Sequence, residues 1–206
     1  MGIRRIGVIG ASGHATVVAS TLIEAGHEVV CFYDDQPRLW GTQILGIPVI
    51  GPVSELTAQT CSHAIIGIGN NETRKRIAER VDVEWMTVVH PFAWVHRDAQ
   101  LGAGTIVCAG SVVQPGAKIG AHVILNTRSS VDHHCVVGDF AHIAVAHLGG
   151  GASIDEGVFM ALGSVVLPGI RVGAWATVGA GAVVTKDVVP CTTVVGIPAR
   201  PLCRPE

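Results

Sequence analysis

The sequence predicts a two-part chain, an α/β unit over residues 1–84 followed by a parallel β-helix over residues 85–206. Three observations carry this expectation. An aliphatic residue recurs at every sixth position through the second half, a strand–glycine turn–helix–strand order fills the first, and the composition favours thin, repetitive layers. Of 206 residues, 26 are glycine, while only 15% are charged and 4% aromatic. That much apolar side chain excludes a disordered chain. A net charge of -2 leaves no basic footprint for nucleic acid, and no stretch reaches the apolar length of a membrane span.

The α/β unit opens on a strand at Ile3 to Ile9, which is read as a strand and not as a signal peptide because Gly7, Gly10 and His14 interrupt its apolar run. Gly10 to His14 forms a turn into a helix over Ala15 to Ala25, and a second strand, Val29 to Tyr33, ends in Asp34 and Asp35. Short strands follow at Ile47 to Ile50 and Ala64 to Ile68. Gly69, Asn70 and Asn71 then cap a helix from Glu72 to about Val81. This is a βαβ arrangement with a glycine turn at a helix N-terminus, suited to an anion such as a pyrophosphate. The turn lacks a full G-x-G-x-x-G, so the alternative is a plain turn and a solvated acidic strand end.

The β-helix is written in its spacing. Aliphatics stand at Val89, Val95, Leu101, Val107, Val113, Ile119, Leu125, Val131, Val137 and Ile143; the register slips by one residue and resumes at Leu148, Ile154, Met160, Val166, Val172, Val178 and Val184. If roughly a third of residues are aliphatic, such a run by chance has odds of about one in 10⁸. Small residues four places on, such as Thr105, Ser111, Ala117, Ala152 and Ala182, fit beside corners. Glycine often follows the aliphatic, as at Gly102, Gly120, Gly138, Gly173 and Gly179, and is expected to supply the φ > 0 that a tight corner requires. The slip should deform one side of a coil. Six scattered cysteines without a CxxC pair (Cys31, Cys61, Cys108, Cys135, Cys191, Cys203) fit a reduced, cytoplasmic protein.

Gly10–His14, Asp34-Asp35 and Ile68–Glu72, together with the repeat and the ending Val195-Gly196-Ile197-Pro198-Ala199-Arg200, resemble the NeuD/PglD family of hexapeptide-repeat sugar O- and N-acetyltransferases. The likeness spans almost the whole chain. It is strongest to members that N-acetylate UDP-linked 4-amino-4,6-dideoxy sugars in bacillosamine synthesis. The resemblance implies a left-handed helix of triangular coils, a homotrimer, and acetyl-CoA as co-substrate in a groove between neighbouring helices, with no metal. It implies nucleotide-sugar contacts at Ser12, Gly13, His14, Asp34, Asp35 and Gly69, and acetyl-CoA contacts at His142, Leu162 and Ala180.

Asn126 to Cys135 resembles the family's active-site coil, N-T-x-x-x-[IVL]-[ED]-H-[ED]-C, which places the general base at His133. Imidazoles titrate near neutrality and can take a proton from an attacking amine or hydroxyl. Where the family often has a carboxylate that strengthens this base, the chain has His134, so either Asp132 or a carboxylate from elsewhere orients His133, or the base is weaker. Three rival readings remain. One is O-acetylation of sialic acid or another sugar. Another is a zinc hydrolase of γ-carbonic-anhydrase type using His122, His142 and His147. A non-enzymatic scaffold is the third.

Overall fold

A computed structural model describes residues 5–57 and 59–202; Ile3 and Cys203 lie outside these. The first unit is built on β1 (Arg5–Ile9), β2 (Glu28–Tyr33), β3 (Gln43–Ile44), β4 (Ile47–Gly51), β5 (His63–Ile66) and β6 (Glu84–Trp85). They form one sheet in the order β3-β4-β2-β1-β5-β6, parallel except for the β3/β4 hairpin. The chain reverses its winding direction between β1 and β5, the position where open α/β sheets form a ligand crevice. Helix α1 (Gly13–Glu24) begins two residues earlier than its sequence pattern suggests, and α2 (Asn71–Arg80) begins after Asn70, whose side chain accepts from the Thr73 amide. Strand β4 is the short strand read at Ile47 to Ile50, whereas β3 and β6 have no clear sequence signal because two-residue strands carry no periodicity.

Seventeen two-residue strands follow, from β7 (Val88–Val89) to β23 (Val183–Val184). They stack into three parallel faces. Face 1 carries Ile106, Ile124, His142, Phe159 and Thr177 outward; face 2 carries Val112, Ser130, His147 and Val165; face 3 carries Lys118, Val136, Ser153 and Arg171. The six-residue aliphatics all point inward, and from Val107 to Val184 each is essentially buried. The small residues beside the corners are buried with them, Thr105, Ser111, Ala152 and Ser164 completely. The hairpin of β24 (Thr193–Val195) and β25 (Arg200–Pro201) closes face 1, turning through Gly196 and Pro198.

The corners correct one expectation. From Leu101 to Val178, the slip apart, left-handed φ falls three residues after the aliphatic, at Gly104, Gly110 and Gly116, then at His122, Arg128, His134 and Phe140, and again from Gly151 to Gly181. The glycines directly after the aliphatics serve a different purpose. A Cβ on Gly138 would stand 2.6 Å from the Glu156 amide nitrogen in the next coil, so these positions are small because coils stack tightly. The slip shortens the turn from face 1 to face 2 and leaves Val145 at φ 54, a strained conformation for a β-branched residue.

The two units share a core. Val18, Ala19 and Leu22 of α1 pack with Val8 and Ile65 of the sheet on one side and Val88, Ile106 and Ile124 of face 1 on the other. Face 1 is thus covered along its early coils and open beyond them.

Candidate active site

Where the cover ends, a step forms. Its cavity, of about 360 Å³, is walled by Gly69–Glu72 at the N-terminus of α2, floored by Phe159 and Thr177 of face 1, and flanked by Trp175. The α2 N-terminus turns a positive dipole end toward this cavity, which suits an anion. The indole of Trp175 needs Gly157 beneath it, because a side chain there would collide with the ring.

A buried guanidinium fixes this wall. Arg74 is 1% exposed, and its Nε donates to the His122 carbonyl at 2.8 Å. Nη1 donates to the Ile68 and Gly69 carbonyls, while Nη2 reaches the Asn71 side chain and the Phe140 carbonyl at 2.7 Å. Asn71 adds bonds to the Gly157 and Val158 carbonyls. All these acceptors are neutral, and burial lowers the Arg74 pKa to about 9. Sequence reasoning missed this residue, since an arginine in a charged helix reads as solvated.

His14 and Gly69 meet His142 at the step. The His14 and His142 rings are 5.9 Å apart, and His142 Nδ1 lies 3.2 Å from the Gly69 carbonyl. Nε2 of His14 is buried with no hydrogen-bond partner among the described residues. Ser12 and Gly13 form the exposed start of α1, and Ser12 makes no side-chain cap. Asp34 and Asp35 work on the loops. Asp34 accepts from the Ala11 amide at 2.8 Å and the Gln36 amide at 2.9 Å. Asp35 accepts from the Val53 amide and pairs with Arg80 at 2.6 Å, which holds its carboxyl below the ordinary range. The Asp34 carboxylate braces the glycine turn.

His133 and His134 stand elsewhere, at the corner between faces 2 and 3, opposite face 1. Their Nδ1 atoms are 3.0 Å apart. Asp132 accepts the backbone N–H of His133 at 2.7 Å, so the ring of His133 is partnered by His134. The His133 ring lies on Gly150, where a Cβ would come within 2.6 Å of Cε1. Of the glycine run after the slip, only Gly150 accommodates this ring; Gly149 lies against Pro168 and Gly151 takes left-handed φ at the corner. A groove of about 400 Å³ runs beside the corner over face 2, between Asp132, His147 and Leu167. Leu162 and Ala180 are exposed neighbours on the ridge between faces 1 and 2, in successive coils. One chain therefore brings His14, Gly69 and His142 together and holds His133 and His134 apart from them. His122, His142 and His147 point from a corner and two different faces, and among the described residues no group of three metal-type side chains converges. No helix among them is long and apolar enough to cross a membrane.

Burial, with Arg74 second, lowers the pKa of His14, His122 and His142 to about 4. The unfolded chain then binds more protons than the folded one below pH ~6.5. Stability should fall as pH drops from ~6.5 to ~4, by up to about 1.4 kcal/mol per pH unit for each of His14 and His142, and level off below that. Urea melts at pH 7.5, 6 and 5 measure this; a flat profile would show that these rings are solvated in the folded protein.

The profile of the PglD N-terminal domain matches residues 5–81. Among solved structures, PerB from Caulobacter crescentus, crystallised with CoA and GDP-perosamine, is 32% identical with a TM-score of 0.92, covering 98% of this chain and 99% of that one. The acetyltransferase domain of PglB from Neisseria gonorrhoeae is 35% identical with a TM-score of 0.90, over 97% of this chain and 100% of that one. Curated relatives include the serine acetyltransferase of Escherichia coli, 34% identical over 144 residues, which are 66% of this chain and 46% of that protein. The chain spans half or less of the length of the curated relatives it matches. Two full-length structural likenesses above 30% identity, a matching N-terminal domain and the same stacked coils lead to one conclusion: this chain belongs to the PglD-like family of hexapeptide-repeat sugar acetyltransferases, with a left-handed β-helix.

Proposed function

We propose that the chain transfers the acetyl group of acetyl-CoA to the amino group of a nucleotide-linked amino sugar, of the UDP-4-amino-4,6-dideoxy type. The observation that carries this reading is the step beside α2. It joins a helix N-terminus suited to an anion to the open part of face 1, in a chain alike over its full length to an enzyme crystallised with CoA and GDP-perosamine. In the reaction, the sugar amine attacks the thioester carbon and forms the C–N bond. The tetrahedral intermediate collapses with cleavage of the C–S bond, CoA leaves as the thiolate, and His133 collects the proton released by nitrogen. His14, Gly69 and the glycine turn at Ser12 and Gly13 hold the nucleotide sugar, with Asp34 and Asp35 shaping its loops. His142, Leu162 and Ala180 flank the acetyl-CoA path.

His133 faces away from the step of its own chain, so the reading requires a second copy to bring its base corner to that step. A closed ring of three satisfies this heterologous contact. Light scattering is expected to give close to three times the 21.4 kDa chain mass. A monomer at micromolar concentration overturns the shared site.

Mass spectrometry of products from acetyl-CoA and a panel of UDP-, GDP- and dTDP-linked amino sugars tests the chemistry. Acetylation of the 4-amino sugars supports the proposal. Acetylation of hydroxyl-bearing sugars alone, such as sialic acid, overturns the choice of nucleophile.

A further inference from the structure

His142 sits in a hydrogen-bond chain whose polarity is fixed at both ends. At one end the Thr127 amide donates to Oδ1 of Asn126 at 2.8 Å, and a backbone amide can only donate. This orients the Asn126 carboxamide and turns its NH₂ toward Nε2 of His142, 3.1 Å away. Nε2 must therefore present its lone pair. At the other end Nδ1 faces the Gly69 carbonyl at 3.2 Å, and a carbonyl can only accept, so Nδ1 must carry the hydrogen. Both nitrogens of a neutral imidazole are thus used, in one tautomer. A second proton on Nε2 would set two donors against each other.

The ends of this chain belong to different parts of the site. Asn126 and Thr127 begin the coil that continues to His133, and Gly69 is the wall of the step. We propose that His142 is a positioning residue, a single-tautomer bridge that ties the Gly69 loop to the start of the catalytic coil and takes no proton during turnover. Burial above all, with Arg74 and then His14 as the charged and titratable groups facing it, keeps its ring neutral, at a pKa of about 4. The neighbouring Phe159 ring, 5.3 Å away, supplies no proton partner.

Two measurements test the bridge, and the first does not depend on the proposed acetyl transfer. Nitrogen-15 spectra of histidine-labelled full-length protein, assigned through His142→Gln, should show His142 neutral with hydrogen on Nδ1 from pH 8 to pH 5. Hydrogen on Nε2, or a titration near pH 6.5, overturns the bridge. The second measurement rests on the function proposed above. His142→Ala should raise KM for the nucleotide sugar about 10-fold by freeing the Gly69 loop, whereas His142→Gln, which offers an N–H on one side and an oxygen on the other, should restore KM to within about 3-fold of the parent. A group that takes a proton cannot be replaced by an amide. Equal losses in kcat of about 100-fold or more for both variants, with folding intact, would make His142 a proton acceptor and overturn the proposal. If the parent protein acetylates none of the panel sugars, the functional reading fails by itself, and the spectra still decide the bridge.

Discussion

Arg74→Ala is expected to cost about 2–5 kcal/mol of stability and to loosen the first unit from face 1. The reason lies in the direction of its bonds. The guanidinium feeds the carbonyls of His122 and Phe140 in two successive coils and those of Ile68 and Gly69 in the α2 loop. Its removal leaves several buried acceptors without donors, each costing about 1–3 kcal/mol unless water enters. The buried charge itself is costly, since no carboxylate offsets it, so the loss is smaller than a sum over the bonds. Arg74→Met separates the two contributions, because methionine fills much of the volume and supplies no donor. Urea melts should place both variants well below the parent, with the methionine variant the less affected. A loss under about 1 kcal/mol for Arg74→Ala would show that the carbonyls are satisfied without it. Loss of the cation should also raise the pKa of His14 and His142 from about 4, because Arg74 is the second cause of their lowering after burial.

That residue also marks where the sequence stops being legible. The β-helix was readable because a period of six repeats one physical demand, an inward aliphatic in every short strand, and even the slip before Leu148 can be read from spacing. The order of strands and helices in the first unit followed from apolar runs and from Asn70 as a cap. What could not be read is what happens between distant segments. Arg74 looks like a surface residue until the carbonyl of His122, forty-eight positions away, is placed against it. The glycines are ambiguous in sequence because two demands, left-handed φ at Gly104 and close stacking at Gly138, select the same residue. Likewise Asp34 and Asp35 signal a strand end in sequence, while their partners Ala11, Val53 and Arg80 become apparent only in three dimensions. For the histidines, the coil Asn126 to Cys135 pointed to His133 by resemblance, yet its position opposite the step depends on the triangular cross-section.

On the proposed acetyl transfer with His133 as base, His133→Ala should lower kcat by about 10²–10⁴ with little change in KM. The geometry supplies a rationale for a base without a carboxylate. With 3.0 Å between the two Nδ1 atoms, one must carry a hydrogen and the other a lone pair. When His134 accepts, His133 is held with hydrogen on Nδ1, and its Nε2 lone pair is free to take the proton from the attacking amine. The imidazolium that results is then stabilised by a charge-assisted bond to a neutral ring, weaker than one to a carboxylate. Such a base suits an amine, which attacks through its own lone pair and sheds its proton afterwards, better than a hydroxyl, which must be deprotonated as it attacks. The test at His134 needs care with the backbone. It occupies a corner at φ 58, where alanine would add strain, so asparagine, which tolerates that conformation, is the cleaner substitution. His134→Asn should reduce kcat less than His133→Ala, because it removes the orienting partner and leaves the base. His134→Asp should lower kcat less than His134→Asn, since a carboxylate beside the ring stabilises the imidazolium. Should His134→Asn abolish turnover while His133→Ala is nearly silent, the base is His134 and the roles in this coil exchange.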